Sequence, residues 1–182
     1  MTWSVDASFA VHKDMRSHTG ASLTMGLGLV ISLSLKQKIN TKSSTEAEVV
    51  GVDDAMNFVV WTKLFFNWQT SKYPKDSRTK FLGHKSVILQ DNTSAIQLER
   101  YGKRSSTKRT RHIDIRYFYV TSKIYDQTVT AITYCPIKEM IADYLSKPLQ
   151  GSLFRTHRNS IMGINEDDES EFYNLYRKRM DG

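Results

Sequence analysis

Apolar and polar positions alternate from the start of the chain, and residues 2–10 (Thr-Trp-Ser-Val-Asp-Ala-Ser-Phe-Ala) carry the period of a strand with one buried face. A polar stretch from His12 to Gly20 follows. Two short runs, Ala21–Met25 and Leu29–Leu35, are split by Gly26-Leu27-Gly28 and rich in Leu, Val, Ile, Ser and Thr, so they read as a hairpin. The pattern then changes period. Ser43-Ser44-Thr45-Glu46 has the form of a capping box, in which a serine side chain accepts from the backbone three residues on and the glutamate reaches back. Val49, Val52, Met56, Val59, Val60 and Leu64 recur at helical spacing behind it. With Trp61, Phe65, Phe66 and Trp68 they predict a central core helix of about 25 residues.

A hydrophilic connector, Ser71–Lys85, leads to Val87-Ile88-Leu89-Gln90-Asp91, an apolar run too short for a helix and best read as a buried strand. Asn92–Leu98 opens a short helix. Ile113–Tyr125 reads as helical and Thr128–Tyr134 has the β-branched character of a strand. Pro136 stands where a helix through Met140, Ile141, Tyr144 and Leu145 would begin, and Pro148 would stop it. A further helix is expected over Leu153–Met162. The later strands need helical crossovers, so the order predicts an α/β fold: a mixed five-stranded sheet, three strands antiparallel and the rest parallel, flanked by helices.

A chain of 182 residues with 40% hydrophobic residues suits one core with appendages. Residues 1–162 are expected to form that domain and 163–182 a flexible acidic tail, in which Phe172–Tyr176 could form a short docking helix. Neither a signal peptide nor an apolar run of membrane-spanning length is seen, so an intracellular protein without membrane contact is expected. The formal charge of +7 is unevenly spread: the last 20 residues hold three basic and six acidic side chains, leaving 23 against 13 in the rest. A basic body of that kind suits a polyanionic partner such as nucleic acid, the plain alternative being solubility. Six of the twelve residues from 100 to 111 are Arg or Lys (Arg100, Lys103, Arg104, Lys108, Arg109, Arg111), a segment that faces solvent or a ligand. One cysteine, Cys135, and five scattered histidines offer no structural zinc motif, so a catalytic metal would be held by oxygen.

Four carboxylates have distinct structural addresses. Asp91 ends the buried run after Leu89, where an unpaired charge is strongly unfavourable, so it is the least ordinary of them. Asp6 lies in the first strand, although a solvent-facing strand acid would explain it nearly as well. Glu48 and Asp143, taken alone, read as surface acids of helices.

The surroundings of these acids resemble the ribonuclease H domain of copia-type retrotransposon Pol polyproteins. The resemblance runs over residues 4–162 and rests on Ser4-Val5-Asp6-Ala7, Arg16-Ser17-His18-Thr19-Gly20, Ser43-Ser44-Thr45-Glu46-Ala47-Glu48, Gln90-Asp91-Asn92-Thr93-Ser94-Ala95-Ile96, Arg109–Tyr117 and Ile141–Leu149, in that order. It implies a ribonuclease H-like fold and hydrolysis of the RNA strand of RNA/DNA hybrids, giving a 3′-hydroxyl and a 5′-phosphate. Asp6, Glu48, Asp91 and Asp143 would be the metal ligands. Four hard oxygen donors suit Mg²⁺ or Mn²⁺. By resemblance there would be two ions, with Asp6 and Asp91 central, Glu48 serving the leaving-group ion and Asp143 the water-activating ion. Glu46 competes with Glu48, but its capping-box position commits its carboxylate to the backbone.

By the same resemblance, Asn40, Ser43, Ser44 and Asn92 would read the 2′-hydroxyl, unless they are simply a loop residue, two caps and a turn. The basic segment with His112 would grip the hybrid. A histidine in the loop before the last acid, common in other ribonucleases H, is replaced here by Cys135-Pro136-Ile137-Lys138-Glu139. The implied setting is cytoplasmic, within virus-like particles, beside the reverse transcriptase of the same polyprotein, with the isolated domain monomeric. A transposase or integrase type of DNA nuclease shares the carboxylate logic but usually brings a zinc or helix-turn-helix domain. A hybrid-binding connection module without activity is the non-enzymatic alternative.

Overall fold

The computed structural model describes residues 1–72, 85–102 and 114–164. Five strands, β1 (Thr2–Ser8), β2 (His18–Thr24), β3 (Leu29–Lys36), β4 (Val87–Gln90) and β5 (Ala131–Tyr134), form one sheet in the order β3-β2-β1-β4-β5. β1–β2 and β2–β3 pair antiparallel, and β1–β4 and β4–β5 pair parallel. This is the α/β arrangement anticipated from the sequence, a five-stranded mixed sheet with helices, and it is consistent with a ribonuclease H-like fold.

β1 differs from expectation in being buried on both faces, because it is the central strand of the sheet. Trp3 and Val5 join Ala21, Leu23 and Ile88 in the main core. The alternate positions, Ser4, Asp6 and Ser8, are small or polar and equally buried. Parallel sheets bury both faces in this way when helices cover them.

Helix α1 (Ser44–Lys72) supplies Val52, Ala55, Met56 and Val59 to the core. Its 29 residues run about 43 Å at 1.5 Å each, against roughly 24 Å for seven-residue β1, so its second half overhangs the sheet. The expected core role of that half is therefore corrected. Leu64 and Trp61 are 63% and 58% exposed, and Trp68 and Phe65 are also at the surface. Helical spacing was satisfied there, but nothing in the sheet lies beneath it.

Helices α2 (Thr93–Tyr101) and α3 (Asp114–Tyr125) pack on each other and on α1. The single helix expected from Pro136 is instead broken: a 3₁₀ turn over Ile137–Glu139, then Met140 with φ −77° and ψ 88°, then the short α4 (Asp143–Ser146). The break lets Met140 and Ala142 turn inward with Cys135 to cover Leu89. Helix α5 (Gly151–Met162) ends at Gly163, whose left-handed φ of 67° closes the helix. No helix among the described residues is long and apolar enough to cross a membrane. The acidic tail from residue 165 lies outside the described residues, as do Lys103, Arg104, Lys108, Arg109, Arg111 and His112.

Candidate metal centre

The parallel register of β1 and β4 sets Ser4 opposite Leu89, so two residues further along each strand Asp6 and Asp91 emerge side by side. Glu48, in the first turns of α1, reaches the same point. One carboxylate oxygen from each of Asp6, Glu48 and Asp91 lies within 4.8 Å of the others, and the three residues together could hold a metal ion. Asp6 is 1% and Glu48 4% exposed.

The entrance to α1 is shaped by the capping box anticipated above. Ser43 Oγ accepts from Glu46 N at 3.2 Å, and Glu46 Oε2 accepts from Lys42 N at 2.7 Å. Glu46 is thus spent on the backbone, and Glu48 faces the cluster. Fully buried Gln37 fastens this region by donating to Thr19 Oγ1 at 3.1 Å and to Ala47 O at 2.8 Å.

Asp143, at the start of α4, is buried but is not one of the three acids whose oxygens meet within 4.8 Å. Its nearest link to the cluster is Lys147, whose Nζ donates to Asp143 Oδ1 at 2.8 Å and to Asp6 Oδ1 at 3.0 Å. Ser146 Oγ donates to Asp6 Oδ2, and Ser8 Oγ donates to Ser146 O at 2.9 Å. α4 comes this close only because residue 20 has no side chain. A Cβ there would stand 2.6 Å from Ala142 O and 2.9 Å from Ser146 N, and Gly20 is the β2 partner of Asp6.

Electrostatics follow from this crowding. Burial, reinforced by the charges of Asp6 and Asp91, pushes Glu48 up to about 9, although the backbone of Ala7 bonds to it. Burial raises Asp91 as well, with Asp6 adding to the effect. Asp143 is lifted by burial to about 6 in spite of its bond to Lys147. Burial opposes the Lys147 ammonium, but Asp143 and Asp6 outweigh it and hold the amine above the usual lysine value. Too many carboxylates for the positive charge present is the state that a divalent cation relieves, and an all-oxygen donor set suits a hard ion.

Other anticipated residues have mixed placements. Asn92 Oδ1 accepts from Ser94 N and Ala95 N, both at 3.1 Å, so it is the N-cap of α2. Ser43 is the α1 cap already described, Ser44 is exposed at the first helical position, and Asn40 Nδ2 donates to Asp14 O at 3.3 Å. Arg100 is exposed, its Nε donates to Ile132 O at 2.8 Å and its Nη2 bonds the same carbonyl. Lys147, Gly20, Gln90 and Glu99 were not singled out from the sequence. Lys147 had a signal, the four-residue spacing from Asp143 that brings helical side chains together. So had Glu99, which stands three residues after Ile96 and four after Ala95, on the apolar side of α2.

No protein-family model matches the chain. Over 150 residues, 82% of its length, the chain is 28% identical to the retrovirus-related Pol polyprotein from transposon TNT 1-94 of Nicotiana tabacum. The chain spans about a tenth of that polyprotein, the matched stretch being 10% of it. The similarity supports an origin in a retrotransposon Pol polyprotein.

Proposed function

We propose that this chain is the ribonuclease H domain of a copia-type retrotransposon Pol polyprotein, an endonuclease that hydrolyses the RNA strand of RNA/DNA hybrids with two Mg²⁺ ions, Mn²⁺ being able to substitute. The observation that carries the reading is the convergence of Asp6, Glu48 and Asp91 from β1, α1 and the end of β4 within 4.8 Å. The sequence motifs around each acid and the similarity to a transposon Pol polyprotein add to it.

In this reading Asp6 is the hub, its Oδ2 fixed by Ser146 and its Oδ1 shared with Lys147. Divalent ions, when bound, lower the pKa of an attacking water and stabilise the leaving oxygen. Glu48 holds a proton at neutral pH in the metal-free site and releases it as positive charge enters. Asp143 would be the fourth ligand, and Lys147, which bonds Asp143 and Asp6, would have to release both for them to hold an ion. Asn40, Ser43, Ser44 and Asn92 would face the minor groove with its 2′-hydroxyls, and Arg100, Lys103, Arg104, Lys108, Arg109, Arg111 and His112 the backbone phosphates. The partner domain is the reverse transcriptase of the same polyprotein.

The test is incubation with labelled RNA/DNA, RNA/RNA and DNA/DNA duplexes in Mg²⁺, Mn²⁺ or EDTA, alongside Asp91→Asn. Metal-dependent cleavage of the hybrid alone, lost in the variant, is the expected result. Nicking of DNA duplexes would assign a transposase-like nuclease instead. One observation favours a second reading, a hybrid-binding module without catalysis: the Lys147 ammonium already pairs with both Asp6 and Asp143. Hybrid binding without cleavage in either metal would select it.

A further inference from the structure

Behind the carboxylate cluster lies a second polar pair that the mechanism above does not use. Gln90, the last residue of β4, and Glu99, in the second turn of α2, are both fully buried. Gln90 shares its sheet face with Ile88, so it points toward α1 and α2. Its Nε2 donates to Glu48 Oε2 over a long 3.5 Å, and its amide also lies against the Glu99 carboxyl, whose pKa it draws down. Yet among the described residues Gln90 Oε1 and both oxygens of Glu99 have no partner of hydrogen-bonding geometry.

Three buried acceptors left without a donor would be strongly destabilising. We propose that Gln90 is a positioning residue that fixes the Glu48 carboxylate for a divalent ion, and that Glu99 is the buried post that fixes Gln90. The inference rests on the metal-centre reading given above. Glu99 acts as a neutral acid, because burial raises it well above the ordinary glutamate range while Gln90 and Arg100 only partly draw it back. A neutral carboxyl has one O–H to donate, and Gln90 Oε1 is the unfilled acceptor of the amide that lies against it. Both ends of the amide are then used: Oε1 accepts from Glu99, and of the two Nε2 hydrogens one returns to Glu99, the contact that draws its pKa down, and the other goes to Glu48. Glu48 receives an uncharged donor that does not compete with a metal ion, unlike the ammonium of Lys147 at Asp6.

The experiment measures Mn²⁺ affinity by titration calorimetry, without nucleic acid, in the wild type and in Gln90→Met, Glu99→Met, Glu99→Gln and the double Met variant. Gln90→Met and Glu99→Met should each weaken Mn²⁺ binding by about tenfold, as the loss of an outer-sphere partner does. The double variant should be no weaker than either single one, because the two act through one chain. Glu99→Gln, whose amide can still donate to Gln90 Oε1, should stay within about twofold of the wild type. Wild-type affinity in Gln90→Met, or equal losses in Glu99→Gln and Glu99→Met, overturns the proposal. If the Met variants fail to fold, infrared spectroscopy of the Mn²⁺-loaded wild type at neutral pH decides. A protonated-carboxyl band that disappears in Glu99→Gln supports the relay, and its absence overturns it. Hybrid cleavage by the same proteins keeps the two readings apart. An inert wild type whose Mn²⁺ affinity depends on Gln90 leaves the relay standing without the ribonuclease, and a cleaving one indifferent to Gln90 does the reverse.

Discussion

Lys147 Nζ lies 3.0 Å from Asp6 Oδ1, with Asp143 Oδ1 on its other side at 2.8 Å, so a side-chain cation occupies the junction between the two halves of the carboxylate cluster. It stabilises the metal-free protein and competes with a metal ion for the same oxygens. Lys147→Met should therefore have opposite effects on the two states. Removing one partner of a buried pair costs about 3–5 kcal/mol, and the 36% exposure of Lys147 reduces that to about 2 kcal/mol here. The metal-free melting temperature should fall, and the rise on adding Mn²⁺ should exceed that of the wild type. Scanning calorimetry with and without Mn²⁺ reads both, and an unchanged Mn²⁺-induced rise would show that Lys147 does not stand in the ion's place.

Gly20 makes a prediction of a different kind. The atoms that an added Cβ would strike, Ala142 O and Ser146 N, are backbone, so α4 as a whole has to retreat from β2. Gly20→Ala should destabilise the protein by about 1–3 kcal/mol through overpacking. It should also carry Asp143, Ser146 and Lys147 away from Asp6, so that hybrid cleavage falls further than stability alone explains. Cleavage at a temperature where the variant is still folded is the measurement, and wild-type turnover there would mean that α4 need not sit so close.

Period and punctuation made most of the sheet legible in advance. The alternation in residues 2–10, the Gly-split hairpin and the short run after Lys85 each map onto strands. What the pattern could not convey was coverage. Leu64 and Trp61 have the spacing of core residues, but whether a sheet lies beneath them depends on the relative lengths of α1 and β1. The broken helix after Pro136 was hidden for a related reason, since Met140 and Ala142 leave helical geometry to cover Leu89, a tertiary demand stronger than local propensity. At the site, Asp91 stood out because a charge ended an apolar run, and Glu48 was separated from Glu46 by a local capping rule. Gln90 and Glu99 escaped notice because their significance is that they face each other across two elements.

The raised carboxylates give the metal-free protein a pH dependence with a definite sign. An acid whose pKa is higher in the folded state than in the unfolded chain keeps its proton longer when folded, so stability is greatest at low pH and falls as pH rises toward the folded value. Glu48 is raised to about 9 and Asp143 to about 6, and Glu99 is raised as well. Lys147, held above the ordinary lysine value, loses its contribution only at higher pH and stays out of this window. The metal-free protein should lose stability between about pH 5 and 9, by up to about 1.4 kcal/mol per pH unit for each group that titrates only in the unfolded chain. Urea denaturation in EDTA across that range measures the slope. Glu48→Gln should flatten it, and an unaltered slope in that variant would exclude Glu48 as its source.

The two glutamates at the start of α1 offer the sharpest contrast, because they should fail in opposite ways. Glu46 accepts from Lys42 N at 2.7 Å and closes the helix entrance, so Glu46→Ala should cost about 1 kcal/mol, as other lost caps do. Its loss leaves the oxygens of Asp6, Glu48 and Asp91 in place, and the Mn²⁺-induced rise in melting temperature should survive. Glu48→Gln has the same shape as a protonated glutamate, the form present at neutral pH without metal, but it cannot ionise in the unfolded chain, so it should raise the metal-free stability at pH 7. An amide cannot surrender a proton to become an anionic ligand, and the Mn²⁺-induced rise should be lost along with cleavage. Melting curves of both variants with EDTA and with Mn²⁺ complete the comparison. A Glu46→Ala protein that loses its response to Mn²⁺ while Glu48→Gln keeps it would reverse the assignment of ligand and cap.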